Sequence, residues 1–351
     1  MSFDYDNDLT REGAQRYLGE HANFKLERLL GSGGMGQVWL ASESQAGTEL
    51  RKVVCKIVPK AVQDESEEMQ KFVDNFNLTK DLNHENICPL YGLYRDLTVG
   101  WFLAMGYADG QSLTEWFKSH ESWEGGLPLE EVLTVAEPLA RALDYAHEMK
   151  VVHRDIKPQN VMFRKMGSRK VPWLLDFGIA TRIRETLTMT QGAASPSGTP
   201  TYMALEQCKG LNQDARTDQY SFAVMLYEFL AGHPPFSGDI FALMHQIVSE
   251  RPADLKNVPP HVNNVLQKAL SKDKNARFAT CTEFVQALRG ISEAEKLAAE
   301  KLSAENRRLR EELERKKREN RYARESRNRC GVPTKAGDCR SRRLFHARGS
   351  I

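Results

Sequence analysis

Two short stretches carry residues whose types and spacing could do chemistry: His153-Arg154-Asp155-Ile156-Lys157-Pro158-Gln159-Asn160, and Asp176-Phe177-Gly178. They supply a carboxylate that could hold a substrate hydroxyl (Asp155), an ammonium beside it (Lys157) and two hard oxygen ligands (Asn160 and Asp176). Hard oxygens suit Mg²⁺, which binds through one or two carboxylates and the phosphates of its substrate. Phosphoryl transfer asks little covalent chemistry of a protein and much in-line positioning and charge neutralisation.

A phosphate-holding part lies upstream. Residues 24–30 alternate like a strand, run into Gly31-Ser32-Gly33-Gly34-Met35-Gly36 and are followed by Val38-Trp39-Leu40. A G-x-G-x-x-G that opened a helix would point to a dinucleotide fold. Here β-branched and aromatic residues follow instead, so a hairpin flap is better supported. Glycine lets the backbone amides come close to phosphate oxygens. Lys56 is the one charge enclosed by Val53, Val54, Cys55, Ile57 and Val58. A strand lysine is usually a snorkelling surface group, but one enclosed in this way after a glycine flap can reach phosphates.

The loop of residues 153–160 followed by Asp176-Phe177-Gly178 resembles the protein kinases, whose signature is H-R-D-x-x-x-x-N and then D-F-G. Lys157-Pro158 resembles the Ser/Thr branch, of the bacterial, eukaryotic-like kind. The resemblance, over about residues 24–289, implies an α+β, two-lobed fold with a β-rich N-lobe and a mainly helical C-lobe; the charged, helix-prone residues that follow predict a C-terminal helical tail. It also implies ATP and Mg²⁺, and a protein substrate offering a Ser or Thr hydroxyl. Asp155 would accept or orient the hydroxyl proton, and Lys157 would steady the γ-phosphate. Lys56, matching the lysine of V-A-I-K, would reach the α- and β-phosphates, while Asn160 and Asp176 would hold the metal. Gly31, Ser32, Gly33, Gly34, Met35, Gly36 and Val38 would cover the nucleotide, with Val54 at the alanine of that motif. Met105 and the backbones of Gly106 and Ala108 match the hinge, and Met162 the residue beneath the adenine.

Further matches concern regulation and support. Arg154 would pair with a phosphate on the hydroxyl-rich segment after Gly178, where Thr186, Thr188, Thr190 and Ser195 are candidates for autophosphorylation. Thr199 would hydrogen-bond Asp155 and Lys157, Glu206 would pair with Arg277, and Asp218 would brace the catalytic loop. Three departures stand out: Asn75 where the family has a helix glutamate paired with the lysine, Leu205 for the proline of A-P-E, and Gly106 at the hinge. They support an alternative, a pseudokinase or nucleotide-binding scaffold acting through the helical tail. The retained Lys56, Asp155, Asn160 and Asp176 favour catalysis.

The elements that must position these groups divide the chain of 351 residues into an acidic leader (1–22), a kinase-like domain (23–290; N-lobe 23–105, C-lobe 109–290), a charged helix (291–325) and a basic tail (326–351). Strong helical periodicity over residues 129–149 predicts the core helix that delivers the chain to the loop at 153. In the charged helix Ala299, Leu302, Asn306, Leu309 and Leu313 fit an a/d register, so a dimerising coil and a single solvated helix both remain open. Net charge is +2, which gives no case for a nucleic-acid partner. The six cysteines form no C-x-x-C pair, and no apolar run is long enough to span a bilayer, so a reducing cytoplasm is the expected location.

Overall fold

The computed structural model describes residues 16–33, 36–177 and 200–290, with helical residues at 301, 303–309, 312 and 315–316. The chain divides into two units, Met1–Gly290 and Ile291–Ile351. Gly34, Met35, Thr186, Thr188, Thr190, Ser195, Thr199, Ala299, Leu302 and Leu313 lie outside the described residues.

The first unit opens with an antiparallel sheet of β1 (Arg16–Leu18), β2 (Phe24–Gly33), β3 (Gly36–Gln45), β4 (Thr48–Ile57), β5 (Leu90–Asp96) and β6 (Gly100–Gly106), in the spatial order β1-β2-β3-β4-β6-β5. Side chains alternate faces along a strand. Val53, Cys55 and Ile57 therefore join Trp39, Ala41, Phe102 and Ala104 in one apolar layer, while Val54 and Lys56 turn to the other face. The register pairs Val38 with Lys56, Val54 with Met105 and Lys56 with Leu103, so all five share that second face. After a short turn of helix, α1 (Lys60–Gln63), α2 (Ser66–Thr79) packs Phe72, Met69 and Phe76 against the same side, with Leu103 and Met105.

One difference from the expected leader is β1. Residues 16–18 add an edge strand, Leu18 is buried with Phe24 and Phe102, and Gly19 N donates to Asp96 Oδ2 at 3.0 Å. A strand this short has no period to read; its place is set by what it covers.

The helical part follows as α3 (Leu113–Lys118), α4 (Leu129–Glu148), α5 (Leu205–Cys208), α6 (Ala215–Ala231), α7 (Ile240–Ser249), α8 (Pro260–Ala269) and α9 (Cys281–Arg289), with the hairpin β7 (Val161–Met166)–β8 (Arg169–Leu174) after the catalytic loop. α4 buries Val132, Leu133, Val135, Ala136, Leu139, Leu143 and Ala146, as its spacing predicts. On the same helix Asp144 receives Cys281 N and Thr282 N, each at 2.8 Å, and so caps α9. α6 is buried almost all round, which makes it the central post of this lobe.

In the second unit residues 303–309 are helical, and Lys316 pairs with Glu312 one turn back at 2.9 Å. Among the described residues no helix is long and apolar enough to cross a membrane.

Candidate active site

The first turn of α6 holds the loop that follows α4. Asp218, fully buried, accepts His153 N at 2.8 Å and Arg154 N at 2.7 Å, and shares a 2.7 Å hydrogen bond with His147 Nε2. Burial alone would raise its pKa, but the His147 bond, the nearby imidazoles and the backbone donor hold it below the usual carboxylate range. Those bonds also fix Arg154 at φ 67°, a left-handed conformation that costs a non-glycine residue about 1–3 kcal/mol. The backbone thus turns sharply just before Asp155. His153, itself buried, donates from Nε2 to the carbonyl of Leu175 at 2.6 Å and accepts Asp155 N on Nδ1 at 3.3 Å. It therefore ties the loop to the residue preceding Asp176.

Three sequence-predicted residues meet at this turn. Lys157 Nζ lies 2.8 Å from Asp155 Oδ2. Asn160 Nδ2 donates to the Asp155 carbonyl at 2.7 Å and to Asp155 Oδ2 at 2.9 Å. With its amide nitrogen so used, Asn160 keeps Oδ1 as its remaining side-chain acceptor.

Lys56 arrives from the sheet. It is buried, and its Nζ pairs with Asp176 Oδ2 at 2.8 Å across 120 residues of sequence. Asp176 has φ 60°, a second left-handed non-glycine residue, and the buried Phe177 sets its ring 4.7 Å from that of His153. Among the described residues no hydrogen bond joins Asn75 on α2 to Lys56; its Nδ2 donates to the Phe177 carbonyl at 3.3 Å. At the flap, Gly36 has φ 92°, and a Cβ there would lie 2.2 Å from the Ile57 carbonyl oxygen, so only glycine closes that turn.

The apolar positions expected around a nucleotide base also gather. Val54, Met105, Ala108 and Met162 belong to one cluster with Trp173, and Val38 shares the face of Lys56. Gly106 N donates to Pro89 O at 2.9 Å, and its carbonyl receives the Cys88 thiol at 3.4 Å. A Cβ on Gly106 would come within 2.8 Å of the Trp173 ring, so this hinge glycine follows from the tryptophan behind it. Burial pushes the Cys88 thiol up to about 12, which leaves it a protonated donor.

Further out, Glu206 and Arg277 form a bidentate pair at 2.8 and 3.0 Å, buried, with Thr217 Oγ1 donating to Glu206 at 2.9 Å. Burial opposes ionisation of Glu206, but Arg277 holds its pKa below the ordinary value. Leu205 stands at the first position of α5. Gln207 Nε2 donates to the Arg154 carbonyl at 2.8 Å. The roles of Gln207, His147 and Trp173 had no counterpart in sequence reading, because each depends on a partner tens of residues away.

Residues 24–288 match the family model described as Protein kinase domain. The chain is 33% identical over 277 residues to the probable serine/threonine-protein kinase PknB of Bifidobacterium longum, covering 74% of this chain and 38% of that protein. It is 31% identical over 280 residues to the serine/threonine-protein kinase PrkC of Bacillus subtilis, covering 78% and 41% respectively. The solved kinase domain of Mycobacterium tuberculosis PknI superposes with TM-score 0.61 at 27% identity, covering 80% of this chain and 98% of that one. The chain thus spans 38% and 41% of the length of those two curated relatives.

Proposed function

Because the chain belongs to the protein kinase family, we propose that it transfers the terminal phosphoryl group of ATP to a Ser or Thr hydroxyl of a protein substrate. The observation that carries this reading is the convergence of Asp155, Lys157 and Asn160, joined by bonds of 2.7–2.9 Å, with the Lys56–Asp176 pair tied to the same loop through His153.

In this reaction the hydroxyl oxygen forms the new bond to the γ-phosphorus as the bond to the β-phosphate oxygen breaks, leaving ADP. Asp155 orients the hydroxyl and takes up its proton. Lys157, already beside that carboxylate, neutralises charge on the transferred group. Lys56 leaves Asp176 for the α- and β-phosphates. Asp176 and Oδ1 of Asn160 supply the hard oxygen donors that would hold Mg²⁺. Mg²⁺ held there would supply charge neutralisation on the phosphates. The amides of Gly31, Ser32, Gly33 and Gly36 would lie over the phosphates; Gly34 and Met35, given the same role by the resemblance, lie outside the described residues. The base sits among Val38, Val54, Met105, Ala108 and Met162, with the backbone of Gly106 beside it.

Regulation follows from Arg154. Its Nε is buried with no hydrogen-bond partner among the described residues, and a phosphate on Thr186, Thr188, Thr190 or Ser195 would satisfy it. The charged segment 291–325, helical where it is described at 303–309, would serve for self-association, and the free cysteines Cys55, Cys88, Cys208 and Cys281 suit a reducing, cytoplasmic setting. Asn75 and Leu205 alone would favour a scaffold without activity, but neither removes Lys56, Asp155, Lys157, Asn160 or Asp176.

The test is radiolabel transfer from Mg-ATP to a generic protein acceptor, with Asp155→Asn alongside. Transfer by the wild type and none by the variant is expected; equal signal from both would overturn the reading. Phosphate located by mass spectrometry between residues 178 and 206 would support the regulatory part, and its absence would remove it.

A further inference from the structure

The departure at Asn75 has a consequence for how the two lobes are coupled. Near position 75, α2 carries two carboxylates that could stand in for a missing glutamate, Glu68 two turns back and the exposed Asp74 next door. Glu68 is held by Lys71 at 2.8 Å, Asp74 receives Gln70 Nε2 at 2.8 Å, and Asn75 gives its amide hydrogen to the Phe177 carbonyl. Lys56 finds its anion instead on the metal-ligand segment, in Asp176 at 2.8 Å. A carboxylate at position 75, turned as Asn75 is, would set two acceptors against each other at Phe177. An amide supplies the donor that this carbonyl needs.

We infer that Asn75 is a positioning residue that latches α2 to the Phe177 carbonyl, and that Asp176, not any group on α2, is the counter-ion of Lys56 in the nucleotide-free protein. The inference deepens the kinase reading and rests on it. In this arrangement the lysine does not sense where α2 lies. A displacement of the helix is felt at Phe177, and through Phe177 at the adjacent metal ligand, Asp176. Helix position then controls the rate of transfer and leaves the grip on ATP unchanged. Before nucleotide enters, Lys56 and Asp176 satisfy each other, and both must be released when phosphate and cation take their places.

The test uses the full chain carrying Asn75→Ala, Asn75→Asp, Asn75→Gln or Asn75→Glu. In nucleotide-free protein, hydrogen exchange of a peptide spanning residues 173–177 should quicken by about tenfold in the Ala and Asp variants, the effect of one net hydrogen bond. Asp is nearly isosteric with Asn, so a change common to both variants cannot come from a cavity alone. In transfer assays kcat should fall by about the same factor while the KM for ATP stays within about twofold. Asn75→Gln, which keeps the amide donor, should recover part of both losses, and Asn75→Glu should bring no gain. Unchanged exchange in both Ala and Asp would overturn the inference. So would a rise in the KM for ATP at constant kcat, which would place Asn75 on the side of Lys56. A gain in kcat from Asn75→Glu would overturn it too, since Lys56 would then have lacked a partner. Exchange is read without nucleotide or turnover, so an inactive wild type would defeat the kinase reading while the latch was still decided.

Discussion

The two sides of the candidate site are built differently. On the C-lobe side Asp218 accepts two backbone amides and the His147 ring, His153 bridges Asp155 N to the Leu175 carbonyl, and Asn160 grips Asp155 twice. Of the candidate site groups on the N-lobe side, Lys56 is joined by an ion pair to Asp176 and Asn75 by a 3.3 Å amide contact to Phe177. Buried, mutually satisfied networks are rigid, because each unmade bond leaves a desolvated group unpaired. A single pair whose aspartate is 20% exposed can exchange partners. The contrast fits the proposed chemistry: a group that orients a hydroxyl must be in place beforehand, while groups that grip a nucleotide must let it in and out.

Several measurements can break or sharpen that contrast. The largest effect is expected from Asp155→Asn, which should lower phosphoryl transfer by about 10³-fold or more without moving the unfolding midpoint. A shift of that midpoint would mean that Asp155 also holds the fold. On the same rigid side, Arg277→Met strands the buried Glu206 carboxylate and should cost about 3–5 kcal/mol in urea unfolding. A loss below about 1 kcal/mol would show that the pair is dispensable and the C-lobe less tightly specified than its hydrogen bonds imply.

On the adjustable side, Lys56→Met should lower kcat/KM by about 10²-fold yet leave stability within about 1 kcal/mol, because Asp176 keeps access to water. A large stability loss would erase the distinction between the two sides.

Acid offers a gentler probe. Both Asp218 and Glu206 have folded pKa values below their ordinary ones. Their contribution is fully present above the ordinary carboxylate pKa of about 4 and is lost as pH falls through the lower folded values. The urea midpoint should therefore drop below about pH 4, and the drop should be shallower in Arg277→Met, where Glu206 has lost its cation. The smallest effect belongs to Leu205→Pro. Position 205 is the first of α5, where a proline's missing N–H and fixed φ are tolerated. The variant should gain about 0.4–1 kcal/mol with kcat unchanged, as read by thermal unfolding and a transfer assay.

Residue order alone determined which groups could do chemistry and on which elements they ride. The loop of residues 153–160, the strand lysine, the glycine flap and the periodic helix at 129–149 are all local patterns, and local patterns follow from side-chain period and turn chemistry. The departure at Asn75 was also legible, since it lies at a countable distance from His84. The sequence could not show what Asn75 bonds to, nor that Trp173 presses on Gly106, nor that His153 ties the catalytic loop to the Leu175 carbonyl. Nor did it mark residues 16–18 as an edge strand. Each of these is a contact between segments far apart in the chain, chosen only when the sheet and the helices pack together. Tertiary structure decided them because a buried donor or acceptor must find whichever partner the packed interior brings within reach.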